Sequence, residues 1–237
     1  MSSGSYGEFE AAILDFDMTI VYLFDFIDIF ALREELRTVL AKNGFRTEHM
    51  RSLPVGLLRN AYANDSKDEA TRRERWLEAS EIICRYEIGA SGKAVATKDT
   101  LQFLIELRTS NLRTAIVSSN CDRAIERCLE RLKLSEYIDV LIGRDELMWD
   151  MKPSPRGMDI ALRRMAASPL KTFGIGDSTA DIKSFRAAGV LPIGIVGGVS
   201  TRGQLLDAGA AAVITRLSQA RETVLQATRY TSSVSES

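Results

Sequence analysis

Six short apolar runs recur along the chain, and segments with helical spacing separate most of them. The runs occupy residues 11–16, 114–117, 138–142, 172–175, 191–196 and 211–214. Continuous apolar runs of this length are typical of strands that are buried on both faces. Between them, apolar residues stand three and four positions apart, as Ile125, Cys128 and Leu129 do. This alternation predicts an α/β fold, with a parallel sheet core and helices on both faces.

Residues 21–88, here called the insertion, interrupt the alternation. They contain helical patterns, such as Leu32, Leu36 and Leu40, and no convincing strand. We therefore expect an α-helical domain at 21–88, inserted into a core domain formed by 1–20 and 89–237. Residues 89–97 are rich in Gly, Ala and Ser, which suits a hinge between the two domains.

Length and charge narrow the class of protein. A chain of 237 residues suits one core domain with a smaller insertion. Its formal net charge of -1 lacks the basic excess of a nucleic-acid binder. It has no apolar run of membrane-spanning length and no signal peptide at its start, so we expect a cytoplasmic location without membrane attachment. The sequence leaves the oligomeric state open.

Cysteine and histidine usage limits the chemistry further. Cys84, Cys121 and Cys128 form neither a paired framework nor a CxxC spacing, which predicts reduced thiols that fill the core. His49 is the only histidine, and we expect it on the surface. A catalytic triad with a histidine base, or a metal site with several histidines, is therefore hard to build.

Two carboxylates follow the first predicted strand. Asp15 and Asp17 are two residues apart, so in an extended chain both side chains point to one side. Clustered carboxylates repel one another unless a cation or a shared proton compensates. The pair is thus a candidate metal ligand, nucleophile or acid/base pair, although the same residues are also typical of an Asx-type turn.

Two further polar segments follow later strands. Ser118, Ser119 and Asn120 follow the run at 114–117, and hydroxyl and amide groups beside a helix N-terminus bind anions such as phosphate, although they also serve as ordinary helix caps. Lys152 precedes two prolines and is placed to neutralise a phosphate together with a carboxylate. Taken alone, however, the pattern favours a surface lysine before a proline turn.

A second pair of carboxylates follows the run at 172–175. Asp177 and Asp181 are four residues apart, which predicts that both lie on one face of a helix. Hard oxygen ligands of this kind suit Mg²⁺, which takes its remaining ligands from water and phosphate. The alternative is simple capping of the helix start by Asp177 or Ser178.

In their order along the chain, these four clusters resemble the motifs of the haloacid dehalogenase superfamily, whose core is Rossmann-like. The residues that match the four motifs in turn are Asp15, Asp17 and Thr19; Ser118; Lys152; and Asp177 with Asp181. Residues 194–214 are similar to the closing segment of phosphoglycolate phosphatase-like members, and the insertion matches the helical cap of that subgroup. Met18 departs from the pattern, because glycine is usual there; only its backbone is expected to face the site.

The resemblance implies a Mg²⁺-dependent phosphatase, a phosphoric monoester hydrolase acting on a small phosphorylated metabolite through an aspartyl-phosphate. Asp15 is the implied nucleophile and Asp17 the implied general acid and base. The implied phosphate-binding residues are Thr19, Ser118, Ser119, Asn120 and Lys152, of which Ser118 and Lys152 also count as catalytic. The implied metal ligands are Asp15, Asp17 through its backbone carbonyl, Asp177 and Asp181, the last also orienting Lys152.

Three other functions fit the same scaffold. A dehalogenase lacks the second aspartate of the first motif, so Asp17 favours phosphate chemistry. A phosphosugar mutase keeps all four motifs, so only the insertion distinguishes a mutase from a phosphatase. The insertion shows no clear mutase signature. A non-catalytic binding protein is disfavoured because every motif position is present.

The motifs do not indicate the chemical nature of the part of the substrate that lies beyond its phosphate group. Arg72, Arg73 and Arg75 in the insertion are candidates for binding a second anionic group. They alternate with glutamates, however, which is also typical of a solvated helix face.

Overall fold

The first strand, β1 (Ala11–Leu14), is buried on both sides, which accounts for its uninterrupted apolar sequence. Ala11 and Ile13 pack into one hydrophobic cluster, whereas Ala12 and Leu14 pack into another. The computed structural model, which describes residues 5–45, 53–63 and 65–235, thus has two layers of side chains around a central sheet.

The main sheet has six strands in the order β5-β4-β1-β6-β7-β8, and every neighbouring pair is parallel. Besides β1, its strands are β4 (Arg113–Val117), β5 (Val140–Ile142), β6 (Thr172–Gly176), β7 (Leu191–Ile195) and β8 (Ala212–Ile214). The six predicted apolar runs are therefore the six strands, and the predicted α/β fold is confirmed.

Helices cover both faces of this sheet. Those that follow the insertion are α4 (Thr100–Thr109), α5 (Asp122–Leu132), α6 (Arg144–Leu147), α7 (Arg156–Met165), α8 (Thr179–Ala187), α9 (Arg202–Asp207) and α10 (Ala220–Ser235). Helices α4, α5 and α10 pack on the face that carries Ala12 and Leu14, and α7, α8 and α9 pack on the opposite face. The carboxyl ends of the strands remain at one edge, where loops gather.

In the part of the insertion that the structure describes, there are three α-helices: α1 (Ile29–Lys42), α2 (Pro54–Ala63) and α3 (Glu69–Ser91). Asp28 and Asp68 cap α1 and α3, each accepting a hydrogen bond from a backbone N–H three residues on. The expectation that the insertion lacks strands is wrong at its start, because β2 (Val21–Tyr22) pairs antiparallel with β3 (Val95–Ala96). Two residues are too short a run to show strand alternation in the sequence.

Helix α3 extends past the expected end of the insertion. It continues to Ser91, so the first three residues of the expected 89–97 hinge are helical. The division of the chain into a core at 1–20 and 89–237 and a helical domain at 21–88 stays a prediction. His49 lies outside the described residues.

No helix within the described ranges is both long and apolar enough to cross a membrane.

Candidate active site

Asp15 stands directly after β1, at the carboxyl edge of the sheet. Its backbone N–H donates to Ile175 O of the neighbouring strand, so the sheet itself holds the residue in place. The side chain is buried, and its Oδ2 accepts a hydrogen bond of 3.2 Å from the Thr19 hydroxyl. Thr19 is completely buried and is not among the residues on the cavity surface, so it supports Asp15 rather than facing a substrate.

Asp17 is oriented by the first residues of the insertion. Its Oδ1 accepts backbone hydrogen bonds from Leu23, at 2.9 Å, and Phe24, at 3.1 Å. Asp15 and Asp17 both line the same cavity, as the extended spacing predicts.

Met18, between the two aspartates, has a φ of 63°. This left-handed conformation favours glycine, which explains why a glycine is usual at this position in the family that the sequence resembles. Met18 is among the residues that line the cavity, and the expectation that only its backbone faces the site stays a prediction.

The β4–α5 loop, residues 118–121, lies beside β1 because β4 and β1 are neighbours in the sheet. The Ser118 hydroxyl donates to Asn120 Oδ1, at 2.9 Å, and accepts from the Asn120 backbone N–H, at 3.1 Å. Ser118, Ser119 and Asn120 all line the cavity. These three residues therefore border the space above Asp15 and Asp17.

Lys152 carries the positive charge at the centre of the site. Its Nζ lies 2.5 Å from Asp15 Oδ1 and 2.5 Å from Asp181 Oδ1, and it also donates to Val117 O. The three charged side chains are buried. Because the lysine is shared by two carboxylates, its position is fixed from both sides.

The second carboxylate pair differs from its expected placement. Asp177 follows β6 and precedes Ser178, the N-cap of α8, so Asp177 and Asp181 do not lie on one helical face. Asp181 forms a capping box with Ser178, and its Oδ2 accepts from the backbone N–H and hydroxyl of that residue. The two carboxylates still meet because the turn folds the strand end towards the first turn of α8.

The loop after β7 completes the surroundings of Asp177. The Val199 backbone N–H donates to Asp177 Oδ2, at 2.6 Å. A Cβ on Gly198 would stand 2.0 Å from the same oxygen, so only glycine allows the backbone this close. One oxygen of Asp177 is therefore fixed by the protein.

The three buried carboxylates of Asp15, Asp177 and Asp181 form a group suited to a cation. Ligand oxygens from the three lie within 4.8 Å of one another. Both oxygens of Asp181 are engaged by Lys152 and Ser178, so Asp181 fits the role of orienting Lys152 better than that of a direct ligand. Asp15 and Asp177 fit a hard divalent ion, which prefers few carboxylates together with water.

The pKa values of the acidic groups reflect this crowding. Burial raises the pKa of Asp15 to about 6, although Lys152 opposes the shift. Burial raises the pKa of Asp177 to about 8, and the charges of Asp15 and Asp181 add to the effect. Burial lowers the pKa of Lys152, but the two carboxylates beside it outweigh this effect and raise it above its usual range.

The pKa of Asp17 is raised to about 7, mainly by burial and against the two backbone hydrogen bonds that it accepts. A carboxyl group with a pKa near neutrality is suited to donate and to accept a proton.

A cavity of about 580 Å³ lies above these groups. Its floor is made by the loops that follow β1, β4, β6 and β7, and its opposite wall comes from the insertion. A volume of this size is typical of a small-molecule site.

Glu87 and Arg144 were not predicted, yet they join the insertion to the β4–α5 loop. The Glu87 carboxylate, on α3, accepts from Asn120 Nδ2, at 2.9 Å, and from the Cys121 backbone N–H, at 3.0 Å. Arg144 pairs with Glu87 and also donates to Ser119 O, at 2.7 Å. Both side chains are completely buried. Arg144 lies two residues after the end of β5. The rule that ligands bind near the carboxyl ends of parallel strands could therefore have indicated it.

The prediction of reduced cysteines is wrong for two of the three. Cys84, on α3, forms a disulfide with Cys121, with a Cα–Cα distance of 5.5 Å, whereas Cys128 is a buried thiol. The pairing depends on the packing of α3 against α5, and a separation of 37 residues does not reveal it.

The arginines proposed to bind a second anion are engaged away from the cavity. Arg72 stacks over the Trp149 ring at 3.9 Å, and Arg75 donates to Asn43 O. Neither they nor Arg73 line the cavity, whereas Arg59 of α2 does.

Known proteins resemble this chain in sequence. The sequence profile of haloacid dehalogenase-like hydrolases matches residues 12–195. A phosphoglycolate phosphatase of Pseudomonas putida is 27% identical over 111 residues, which cover 47% of this chain and 39% of that protein. A phosphorylated carbohydrates phosphatase of Thermotoga maritima is 30% identical over 119 residues, which cover 49% of this chain and 53% of that protein.

Among solved structures, a predicted phosphatase from Clostridium acetobutylicum matches with a TM-score of 0.66 at 18% identity, covering 92% of this chain and 99% of that chain. At this identity the structural likeness shows the fold. In sequence, the chain spans about two fifths to one half of the length of the two curated relatives.

Proposed function

The chain belongs to the haloacid dehalogenase-like hydrolase family, and we propose that within it the protein is a Mg²⁺-dependent phosphatase of small phosphorylated metabolites. The observation that carries this proposal is the arrangement around Lys152. Its ammonium lies between the carboxylates of Asp15 and Asp181, at the floor of a cavity that Asp17 also lines. The names of the curated relatives, which include phosphatases, support the same reaction.

In the proposed reaction, an oxygen of Asp15 attacks the phosphorus atom, and the bond between phosphorus and the ester oxygen breaks. Asp17 gives its proton to the departing oxygen, and the product alcohol leaves. Asp17, now ionised, takes a proton from a water molecule, which attacks the aspartyl-phosphate and releases inorganic phosphate. The raised pKa of Asp17 supports both of its roles.

The remaining site residues would bind the phosphoryl group. Lys152 and the Ser118 hydroxyl are suited to the phosphoryl oxygens, and Ser119 and Asn120 extend the same polar surface. Thr19 and Asp181 would act through Asp15 and Lys152, whose side chains they hydrogen bond.

Asp15, Asp177 and the backbone carbonyl of Asp17 would hold the Mg²⁺ ion. When bound, such an ion offsets the repulsion between the carboxylates and the phosphate dianion. The clustering of the carboxylates and the raised pKa values of Asp15 and Asp177 support this assignment. Both show that the negative charges in the site are not fully compensated by the protein, and a cation would compensate them.

The test is a screen of the purified protein, with Mg²⁺, against phosphorylated metabolites and p-nitrophenyl phosphate. Release of inorganic phosphate, lost in Asp15→Asn, is the expected result. Conversion of a sugar phosphate into an isomer without phosphate release would indicate a mutase instead. Binding of a phosphorylated compound without any product would indicate a non-catalytic protein. The cytoplasmic location, for which reduced cysteines were part of the reasoning, stays a prediction.

A further inference from the structure

The surface of the cavity divides by chemistry. Its floor is formed by charged and hydroxyl groups of the sheet edge, such as Asp15, Lys152 and Ser118. The wall contributed by the insertion is made mainly of hydrocarbon. The residues that define this apolar wall are Phe24, Ile27, Ile29, Leu32, Val55 and Ile83.

The apolar wall is a continuous part of the core of the insertion. Leu32 and Ile83 are buried, and the half-buried Ile27, Ile29 and Val55 pack against the same cluster. Its side chains therefore have a packed backing on one side and the cavity on the other. An apolar ligand group in the cavity would also shield the side of the wall that faces the cavity from water.

Charge on this wall is sparse. Among the described residues, the cations on the cavity surface are Lys152 and Arg59. Lys152 is held by two carboxylates. Arg59 Nη1 donates to the Lys152 backbone oxygen at 2.6 Å, so the charge of Arg59 lies beside the polar floor, where the phosphate would lie, and away from the apolar wall. Glu87 also reaches the cavity, but its carboxylate pairs with Arg144. A second anionic group on the substrate would face hydrocarbon, which is costly for a charge.

We propose that the alcohol part of the substrate is uncharged and largely apolar, such as an alkyl or aryl group. This inference rests on the proposed phosphatase function and names its substrate class. The phosphate would lie at the polar floor, and the apolar group would lie against the wall formed by the insertion. The reaction is the hydrolysis described above: the ester and water give an uncharged alcohol and inorganic phosphate.

The first experiment compares ethyl, butyl and hexyl phosphate with phosphoglycolate and glycerol 3-phosphate. We expect kcat/KM to rise about fourfold for each methylene group that enters the cavity. Phosphoglycolate should be a poorer substrate than butyl phosphate. A flat series, or a preference for phosphoglycolate, would overturn the inference while leaving the phosphatase function intact. If no ester, including p-nitrophenyl phosphate, releases phosphate, the proposed function itself fails.

The second experiment changes the apolar wall. Val55→Lys should lower kcat/KM for hexyl phosphate by about tenfold or more and improve phosphoglycolate relative to it. Val55→Thr, which keeps the side-chain shape, tests the same point if the lysine variant does not fold. Leu101→Lys, at an exposed position of α4, is the matched control and should leave the substrate ranking unchanged. An unchanged ranking in both Val55 variants would contradict the proposal.

Discussion

The carboxylate of Glu87 and the guanidinium of Arg144 form a two-pronged ion pair, with Oε1–Nη1 at 2.9 Å and Oε2–Nη2 at 2.8 Å. Neither side chain is exposed by more than 1%. Since the pair also bonds Ser119, Asn120 and Cys121, it connects α3 directly to the loop proposed to bind phosphate.

Glu87→Gln should therefore affect both stability and phosphate binding. The substitution leaves the buried Arg144 without its counter-charge, and we expect a loss of about 3 kcal/mol or more in the free energy of unfolding. The loosened loop should also raise KM for p-nitrophenyl phosphate. Urea denaturation and steady-state kinetics measure the two effects. Glu34→Gln, in an exposed pair with Arg37, should cost less than about 1 kcal/mol. Equal stability of the two variants would refute a structural role for the buried pair.

Asp15→Asn should eliminate turnover while the fold is retained. An amide is a poor nucleophile, and it also removes a negative charge from the proposed metal site. Phosphate release and circular dichroism are the measurements. Asp207→Asn, at an exposed position of α9, is the control and should keep full activity. Substantial turnover by the Asp15 variant would exclude the covalent mechanism.

Asp17→Asn should slow hydrolysis of alkyl phosphates by about 10² to 10⁴, because their leaving groups need a proton. The first step with p-nitrophenyl phosphate should suffer less, since p-nitrophenolate leaves without protonation. Pre-steady-state release of p-nitrophenol separates this step from the second. If alkyl phosphates and p-nitrophenyl phosphate lose the same factor in the first step, Asp17 is not the general acid.

The pH profile should report the same group. Because burial raises the pKa of Asp17 to about 7, the residue holds the proton that the leaving group needs below that pH and loses it above. We expect kcat/KM for alkyl phosphates to fall as the pH rises through this value. The falling limb should be absent in Asp17→Asn. A profile that keeps this limb in the variant would assign it to another group.

Mg²⁺ should stabilise the fold more at pH 8 than at pH 5. The folded-state pKa of Asp177 is raised from 3.8 to about 8, so the folded protein holds a proton that the unfolded chain has released. Without metal, the raised pKa of Asp177 therefore lowers the free energy of unfolding as the pH rises from about 4 to about 8. Mg²⁺ binds the ionised carboxylate, so at pH 5 it must displace the proton of Asp177 and binds more weakly than at pH 8. At a fixed Mg²⁺ concentration the stabilisation is therefore larger at pH 8, and it reaches about 2.7 kcal/mol where that concentration is a hundredfold above Kd.

Thermal unfolding with MgCl₂ or with NaCl of equal ionic strength measures this difference in Tm. Asp177→Asn should lose most of the Mg²⁺-dependent shift. A shift that is the same at both pH values, or that survives in the variant, would argue against metal binding by Asp177.

Much of the fold was readable because buried parallel strands leave a continuous apolar signal. β6 (Thr172–Gly176) shows this directly, as all five of its residues are buried. The candidate site followed from the same pattern, since Asp15 and Asp177 each come after a strand of one parallel sheet. Their proximity needed only the rule that such strand ends share an edge.

The rest depends on contacts between distant segments. Sequence patterns assign charged residues such as Glu87 to the surface. The burial of Glu87 depends on its ion pair with Arg144, which is 57 residues away along the chain. The arginines of α3 show the opposite case. Their charge suggested that they bind an anionic ligand, but Arg72 stacks on Trp149 and Arg75 donates to the backbone oxygen of Asn43. Pairing of side chains across the fold is set by packing, which local periodicity does not encode.

The disulfide between Cys84 and Cys121 turns the chain from α3 to the start of α5 into a closed covalent ring that contains β3, α4 and β4. Helix α3 is therefore fastened to the sheet edge and cannot swing away from it as part of a rigid lid. Helices α1 and α2 share one hydrophobic cluster with α3, so the bond that tethers α3 also restrains the rest of the insertion. While the bond is intact, residues 89–97 therefore cannot serve as a free hinge for the insertion as a whole, because the covalent link bypasses them.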